Sequence, residues 1–145
     1  MPDLAAAVFQ HSFEVPASSM DANGHVNNLE YLRWMVEAAQ AHSDACGWTV
    51  DRYLRERFSW VVRSHHIDYL RPAYAGEVLT LVTWVGDMEP TGSPRHYLLW
   101  RGADRKVLAQ ATTQWVFVDG TTGRPRPVPD EVRGAFPLVS DGRRV

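Results

Sequence analysis

The stretch that decides the fold is Asn28–Cys46, NLEYLRWMVEAAQAHSDAC. It contains no Gly or Pro, and Gly47 follows it as a typical helix stop. Apolar residues recur at helical spacing on one side, namely Leu29, Leu32, Val36 and Ala39. A second side is also apolar, with Tyr31, Trp34, Met35, Ala38 and Ala45. Because apolar surface covers more than half of its circumference, the pattern predicts one long helix embedded in other structure.

Strand patterns lie on both sides of this helix. Val8–Val15 alternates apolar and polar residues, and Pro16 ends it. Four more strands are predicted after the helix, over Ser59–Tyr69, Glu77–Gly86, Arg95–Arg101 and Val107–Val118. Short connections favour antiparallel pairing. The order therefore predicts an α+β fold in which one helix packs on one antiparallel sheet, with Glu77–Gly86, apolar on both faces, as its central strand.

Length and composition restrict the class of protein. The chain has 145 residues, 45% of them hydrophobic, and a formal net charge of −2, which is typical of one globular domain. The charge argues against a nucleic-acid partner. Cys46 is the only cysteine, no apolar run approaches the roughly 20 residues of a membrane span, and Met1–Val8 lacks the basic region of a signal peptide. We expect a soluble cytoplasmic protein with no membrane partner.

The last part of the chain has a different composition. Residues 119–145 contain four of the nine prolines and predict a turn, an extended Arg-Pro stretch and a short helix at most, from Asp130 to Ala135. We expect a single domain over residues 1–145, with its core over about 8–136 and a tail over 137–145.

Several chemistry-bearing motifs are absent from the sequence. It has no Gly-x-Ser-x-Gly, Gly-x-x-x-x-Gly-Lys or His-Glu-x-x-His. A calcium loop starting at Asp21 is excluded because its twelfth position is Leu32, where a Glu is required. His65 and His66 are adjacent on a predicted strand and face opposite ways, so they cannot share one ion. We expect no metal, and a packed thiol at Cys46.

The segment before the helix, Asp21–Asn28 or DANGHVNN, carries more polar side chains than a helix start requires. One Asn or Asp satisfies an N-cap. Asp21, Asn23 and His25 alternate, so an extended segment could project them to one side. The helix start would add unpaired N–H groups and a partial positive charge. A carboxylate, an imidazole and an electrophilic helix end suit the attack of water on a carbonyl, and a purely structural cap remains the alternative.

This segment resembles the signature of hotdog-fold thioesterases. The residues concerned are Asp21, Asn23, His25, Val26, Asn27, Asn28, Tyr31 and Trp34. The similarity is closest to acyl-ACP thioesterases and related bacterial acyl-CoA thioesterases of the 4-hydroxybenzoyl-CoA thioesterase type. It continues in Ile67–Ala73, Gly76–Glu77 and Asp119–Pro125, and spans roughly residues 8–136.

The resemblance implies a five-stranded antiparallel sheet wrapped round the helix, in a homodimer, or a homotetramer, with active sites between subunits. It implies no cofactor. Asp21 matches the essential carboxylate, acting as general base or as nucleophile. Asn23 and His25 match the amide and imidazole that orient water or assist proton transfer, and the N–H near Asn28 would polarise the carbonyl.

Six further residues are candidates for substrate binding by the same resemblance: Tyr31, Trp34, Trp60, Arg71, Ser93 and Arg95. The aromatic residues would line the acyl pocket. Ser93 and Arg95, in the turn before the fourth strand, would meet the pantetheine or nucleotide of CoA, and Arg71 would contact a phosphate. Core packing for the aromatics, and a solvated turn for the others, are the alternatives.

Two other functions, one enzymatic and one non-catalytic, are alternatives to hydrolysis of acyl-CoA or acyl-carrier-protein thioesters. A hotdog hydratase or dehydratase places its His five residues after the Asp, following Asn-Pro, whereas His25 lies four residues after Asp21 with no Pro between them. A non-catalytic acyl-binding hotdog protein would not need Asp21 and His25. Plant acyl-ACP thioesterases are double-hotdog chains, so acyl-CoA is the favoured substrate.

Overall fold

The computed structural model describes residues 7–139. The strands are β1 (Val8–Glu14), β2 (Phe58–Tyr69), β3 (Val78–Val85), β4 (Gly92–Arg101) and β5 (Val107–Asp119). The helices are α1 (Asn28–Ala45), α2 (Val50–Glu56) and α3 (Asp130–Arg133), and a 3₁₀ turn covers Ala17–Ser19.

The strands form one antiparallel sheet in the order β1-β3-β4-β5-β2. With α1 against its concave face, this is the hotdog fold, and the α+β prediction is confirmed. The prediction that Glu77–Gly86 is the central strand is wrong, because β4 occupies the centre and β3 lies between β4 and β1. Apolar residues on both faces suit any strand that has a neighbour on each side, and β3 is such a strand although it is not the middle one.

Helix α1 lies where the sequence predicts it. Asn27 is the N-cap, and its side chain accepts from the Leu29 N–H. The face that meets the sheet is the aromatic side, with Tyr31, Trp34, Met35, Ala38 and His42 buried. Ala39, which spacing assigned to the other side, is buried as well, and Ala45 is exposed. The opposite apolar side faces outward, since Leu29 is 72% exposed and Val36 is 37% exposed. Burial of the aromatic side removes the larger apolar area from water.

Two elements differ from the sequence prediction. Helix α2 was not predicted; it is capped by Thr49, whose Oγ1 accepts from the Arg52 N–H, and it ends at Arg57 in the left-handed region at φ 58°. Strand β4 starts at Gly92, so Ser93 and Arg95 lie inside the strand, not in a turn before it. Pairing with β5, where Ser93 opposes Trp115, extends the strand across Pro94.

The C-terminal segment packs back on the sheet. Helix α3 falls inside the predicted range, and Val132 and Phe136 join a second core with Trp48 and Phe117. The Arg133 guanidinium donates to the carbonyl oxygens of Met88 (2.6 Å) and Glu89 (3.0 Å). Within residues 7–139, no helix has the length and apolarity that crossing a membrane requires. Residues 1–6 and the last part of the predicted tail, 140–145, lie outside the described residues.

Candidate active site

The segment before α1 folds as a tight loop closed by an antiparallel bridge between Met20 and Val26. The Asp21 N–H donates to the His25 carbonyl at 2.8 Å, and the Gly24 N–H donates to the Asp21 carbonyl at 3.2 Å. Gly24 has φ +82°, a conformation that favours glycine. The expected extended segment is therefore a bend, and backbone hydrogen bonds fix its shape.

The carboxylate of Asp21 is held by the backbone of its own loop. Its Oδ1 accepts from the N–H groups of Asn23 (2.8 Å) and His25 (3.4 Å). Its Oδ2 accepts no hydrogen bond from any residue in the range 7–139. The side chain is 27% exposed. One oxygen is thus anchored, while the other is available to a ligand or a water molecule.

The imidazole of His25 lies near this carboxylate but forms no hydrogen bond with it. Its Nδ1 is 4.0 Å from Asp21 Oδ1, and its side chain is 43% exposed. The ring contacts Tyr74 edge-on, with centroids 6.2 Å apart. The Asn23 side chain is exposed, and only the backbone of Asn23 contacts the carboxylate.

The start of α1 leaves one amide unpaired. The Leu29 N–H donates to the Asn27 side chain, and the Glu30 N–H donates to the Asn27 carbonyl. The Asn28 N–H has no hydrogen-bond partner in the described part of the chain. The Asn28 carbonyl accepts from the Tyr69 hydroxyl at 3.2 Å. An open donor therefore stands at the positive end of the helix, two residues beyond the bridge that closes the loop.

A clamp around Ala73 ties this loop to the core. Ala73 is fully buried; its N–H donates to the Tyr31 hydroxyl (3.1 Å), and its carbonyl accepts from the Val26 N–H (3.0 Å). Burial raises the pKa of Tyr31, so the phenol stays protonated at neutral pH. Tyr31 thus joins the core, the segment after β2 and the loop.

A second group of predicted residues meets along the other half of α1, in a pocket of about 420 Å³ that Trp60, Ser93 and Arg95 help to line. The Trp60 indole donates to the Tyr53 hydroxyl at 2.9 Å, and the Ser93 hydroxyl donates to the Asp87 carbonyl at 2.7 Å. Ala39 also lines the pocket and lies eleven residues beyond Asn28, roughly 16 Å along the helix. The pocket and the Asp21 loop are therefore separate regions of one chain.

Arg95 is the buried charged residue of this pocket, which the exposed Arg57 also lines. It is 6% exposed, and its Nη1 donates to His42 Nδ1 (2.9 Å) and to Thr83 Oγ1 (3.1 Å). Burial lowers the pKa of its guanidinium. Two other predicted residues lie elsewhere. Trp34 lines a second cavity of about 400 Å³ beside β1, and Arg71 is exposed and donates to the Val107 carbonyl at 2.7 Å.

Comparison with known proteins identifies the family of the chain. Residues 15–136 match the family model described as the thioesterase-like superfamily. The chain belongs to this superfamily. A dodecanoyl-acyl-carrier-protein hydrolase of Umbellularia californica is 26% identical over 138 residues, covering 90% of this chain and 36% of the relative. Oleoyl-acyl carrier protein thioesterase 1 of Arabidopsis thaliana is 26% identical, covering 88% and 37%.

Solved structures share the fold of this thioesterase-like chain. A 1,4-dihydroxy-2-naphthoyl-CoA thioesterase from Synechocystis superposes with a TM-score of 0.81 at 19% identity, over 88% of this chain and 94% of that one. The 12:0-ACP thioesterase of Umbellularia californica has a TM-score of 0.81 at 23% identity, over 96% and 55%. The chain spans about a third of the length of the curated relatives that it matches.

Sequence reasoning missed part of the pocket of this thioesterase-like chain. His42, Tyr53, Thr83 and Trp115 surround Arg95 or line the cavity, and they come from α1, α2, β3 and β5. The alternation of Ser93, Arg95 and Tyr97 along β4 was the available signal, because it places three polar groups on the helix-facing side. Within residues 7–139, no group of three or more His, Cys, Asp or Glu side chains is arranged to hold a metal ion.

Proposed function

We propose that this protein hydrolyses acyl thioesters of CoA or of acyl-carrier protein to a free acid and a thiol. The observation that carries the proposal is the Asp21 carboxylate, anchored through one oxygen and open at the other, just ahead of a helix whose Asn28 N–H is unpaired among the described residues. The membership of the chain in the thioesterase-like superfamily agrees with this chemistry.

The reaction assigns a part to each of these groups. The Asn28 N–H would donate to the thioester carbonyl oxygen and stabilise the negative charge that develops there. Asp21 would take a proton from the attacking water, or attack the carbonyl carbon itself and form an anhydride that water then cleaves. In the base route the acyl carbon gains the oxygen of water, the C–S bond breaks, and the proton that Asp21 took from water passes to the sulfur, which leaves as a thiol. In the anhydride route the C–S bond breaks as Asp21 attacks and the sulfur leaves as a thiolate; water then hydrolyses the anhydride to the free acid and the Asp21 carboxylate, and the proton released in that step converts the thiolate to a thiol.

His25 and Asn23 would assist from the exposed side of the loop. At 4.0 Å from Asp21 Oδ1, the imidazole is one water or one small movement from proton exchange with the carboxylate. The Asn23 amide, exposed beside it, would orient the water.

The acyl group would use the aromatic residues around α1. Trp60 lines the pocket with Ser93, and Trp34 lines the second cavity with Phe13. Tyr31 would act by holding the loop, and Arg71, exposed, would meet a phosphate of the carrier. Acyl-CoA is the first substrate to test.

A homodimer is the proposed assembly, with a homotetramer as the alternative. Strand β2 has an open edge of twelve residues, and Val61 (46%) and Val62 (41%) are exposed on it. Leu54 of α2, which lines the pocket together with Val36 of α1, is 69% exposed. A second copy paired along β2 would cover these residues and satisfy the edge.

The proposed compartment is the cytoplasm. Cys46, the single cysteine of the sequence, is a free thiol, which suits a reducing environment.

Hydrolysis is tested by mixing the purified protein with acyl-CoAs of graded chain length and following the release of free thiol. Turnover that depends on chain length is expected. An absence of turnover with every acyl-CoA and acyl-carrier protein would contradict the proposal, and hydration of crotonyl-CoA without thiol release would assign the fold to a hydratase.

Assembly is tested by analytical ultracentrifugation. The wild-type protein is expected to sediment as a dimer or larger species, and Val62→Lys should shift it toward the monomer. Val78→Lys is the matched control, because Val78 is 53% exposed on β3, away from the open edge. A wild-type monomer at micromolar concentration would contradict the assembly.

A further inference from the structure

The pocket under the second half of α1 contains a buried cation that has no counter-ion among residues 7–139. Arg95 is 6% exposed, and no carboxylate among the described residues lies within 4.0 Å of its guanidinium. Its two hydrogen-bond acceptors, His42 and Thr83, carry no negative charge. Buried charges are usually paired, because removing an ion from water is costly.

Part of the guanidinium remains available for hydrogen bonding. Arginine has five N–H donors, and the hydrogen bonds from Arg95 to His42 and Thr83 both use Nη1. Within residues 7–139, Nε and Nη2 have no acceptor, and neither atom is sealed from the pocket. Two adjacent nitrogens of a guanidinium form the fork that binds a carboxylate in bidentate fashion.

The groups around Arg95 add donors and no charge. The Tyr97 hydroxyl lies beside Arg95, Thr113 and Trp115, and none of these neighbours carries a negative charge. Burial raises the pKa of Tyr97, and it also raises the pKa values of Tyr53 and Cys46. These three groups are therefore neutral at pH 7, and the local potential stays positive.

The rest of the pocket is mainly apolar, with a second, exposed arginine, Arg57, and a few uncharged polar side chains. Its lining includes Val36, Ala39, Val50, Leu54, Phe58 and Phe136. A volume of about 420 Å³ is within the range of small-molecule sites, roughly 300–1,000 Å³. A largely apolar wall that leads to a buried guanidinium matches a ligand with a hydrocarbon body and an anionic end.

We propose that this pocket binds a carboxylate at the end of a hydrocarbon chain, with Arg95 as the residue that recognises the charge. Within one chain the site lies well away from Asp21, so the group that Arg95 meets is not the thioester carbonyl on which that carboxylate would act. The carboxylate has two chemical sources: the free acid that hydrolysis releases, or a second carboxylate on a dicarboxylic acyl group. Both sources rest on the proposed function, whereas binding of the carboxylate itself does not.

The binding experiment compares octanoate with octanamide, which has nearly the same shape but no charge, by isothermal titration calorimetry. Octanoate is expected to bind about 10- to 100-fold more tightly than octanamide, because it adds a charge-assisted hydrogen-bonded pair. Arg95→Met should remove the difference, Arg95→Lys should keep part of it, and Lys106→Gln, an exposed cation outside the pocket, should leave it intact.

Circular dichroism checks that each variant folds. If Arg95→Met does not fold, the acid-to-amide ratio of the wild type, together with Arg95→Lys, still decides the question. Equal binding of acid and amide by the wild type, or unchanged octanoate binding in folded Arg95→Met, overturns the proposal.

A kinetic experiment separates the two sources by comparing octanoyl-CoA with the CoA thioester of octanedioic acid. A kcat/KM about tenfold higher for the dicarboxylic substrate, lost in Arg95→Met, supports recognition of a dicarboxylic acyl group. Equal kcat/KM values, with inhibition by octanoate that Arg95→Met abolishes, support binding of the released acid. Octanoate binding without turnover of any thioester supports this site and refutes the proposed hydrolase.

Discussion

The two ends of α1 present polar groups in opposite ways. Before the helix, Asp21 is partly exposed and is held by the backbone of its own loop. Under its second half, Arg95 is buried and is held by side chains from α1 and β3. An anchored, accessible carboxylate suits proton transfer, whereas a buried cation in an apolar pocket suits selection of a ligand. The start of α1 is thus assigned to the chemical reaction, and its second half to recognition of a ligand.

The largest expected effect is the loss of turnover when Asp21, in the loop before α1, is replaced. Asp21→Asn keeps the size of the side chain and an Oδ1 that accepts the loop hydrogen bonds, but removes the basic carboxylate. We expect kcat to fall by about 100- to 10,000-fold with little change in KM. The measurement is steady-state thiol release. Asp44→Asn, an exposed acid on α1, is the matched control and should be active. Full activity of Asp21→Asn would remove the carboxylate from the chemistry.

The next effect is on stability and concerns the clamp around Ala73 that joins the Asp21 loop to the core. Tyr31→Phe leaves the buried Ala73 N–H without its acceptor. We expect a loss of about 1 to 3 kcal/mol in the free energy of unfolding, and a melting temperature lower by about 2 to 10 °C. Differential scanning calorimetry measures both. Tyr74→Phe, on an exposed tyrosine, should change neither, and an unaltered Tyr31→Phe would show that the clamp does not stabilise the fold.

A smaller effect comes from the bend of the loop. Gly24 has φ +82°, and a methyl group added there would meet no atom within 4 Å, so Gly24→Ala suffers conformational strain alone, about 1 to 2 kcal/mol. Gly123→Ala is matched, with φ +74° and the same open space, but lies far along the chain. Chemical denaturation should show similar losses for both, and only Gly24→Ala should lower kcat. Equal kcat values would separate the loop shape from catalysis.

The smallest effect reports on the charge of the pocket. Burial raises the pKa of the Cys46 thiol, and the nearby Arg95 guanidinium partly lowers it. The pH midpoint for alkylation of Cys46 by iodoacetamide should therefore lie above that of a free cysteine, and Arg95→Met should raise it further. A midpoint at or below the free-cysteine value, or a downward shift in Arg95→Met, would contradict this description of the pocket.

The helix and strands whose positions depend on interactions between neighbouring residues could be predicted from the sequence. Asn27 and Gly47 bound α1, and apolar patterns between turn residues predicted all five strands, because caps and side-chain periodicity act over a few residues. Helix α2 was missed because its seven residues carry no core-facing stripe, and none of them is buried. The start of β4 was misplaced because pairing with Trp115 on β5, a tertiary contact, overrides the break expected at Pro94.

The same distinction explains the two functional regions. The loop groups are consecutive in sequence, so DANGHVNN predicted which residues to consider, although not that backbone amides hold Asp21. The pocket combines residues from α1, α2 and four strands, so its partners for Arg95 could be read only from the folded chain. The outward orientation of Leu29 is likewise a result of packing and could not be predicted from helical spacing.

The most direct test of the account removes a single N–H. Proline is tolerated at the first position of a helix, and Asn27, at φ −60° and ψ 132°, already has the extended backbone that precedes proline. Asn28→Pro therefore deletes the unpaired amide without ending α1, and Asn28→Ala keeps it. We expect kcat for acyl-CoA hydrolysis to fall about 100- to 1,000-fold in Asn28→Pro and to stay near wild type in Asn28→Ala. Equal kcat values in two folded variants would contradict the claim that this helix end stabilises the reacting carbonyl.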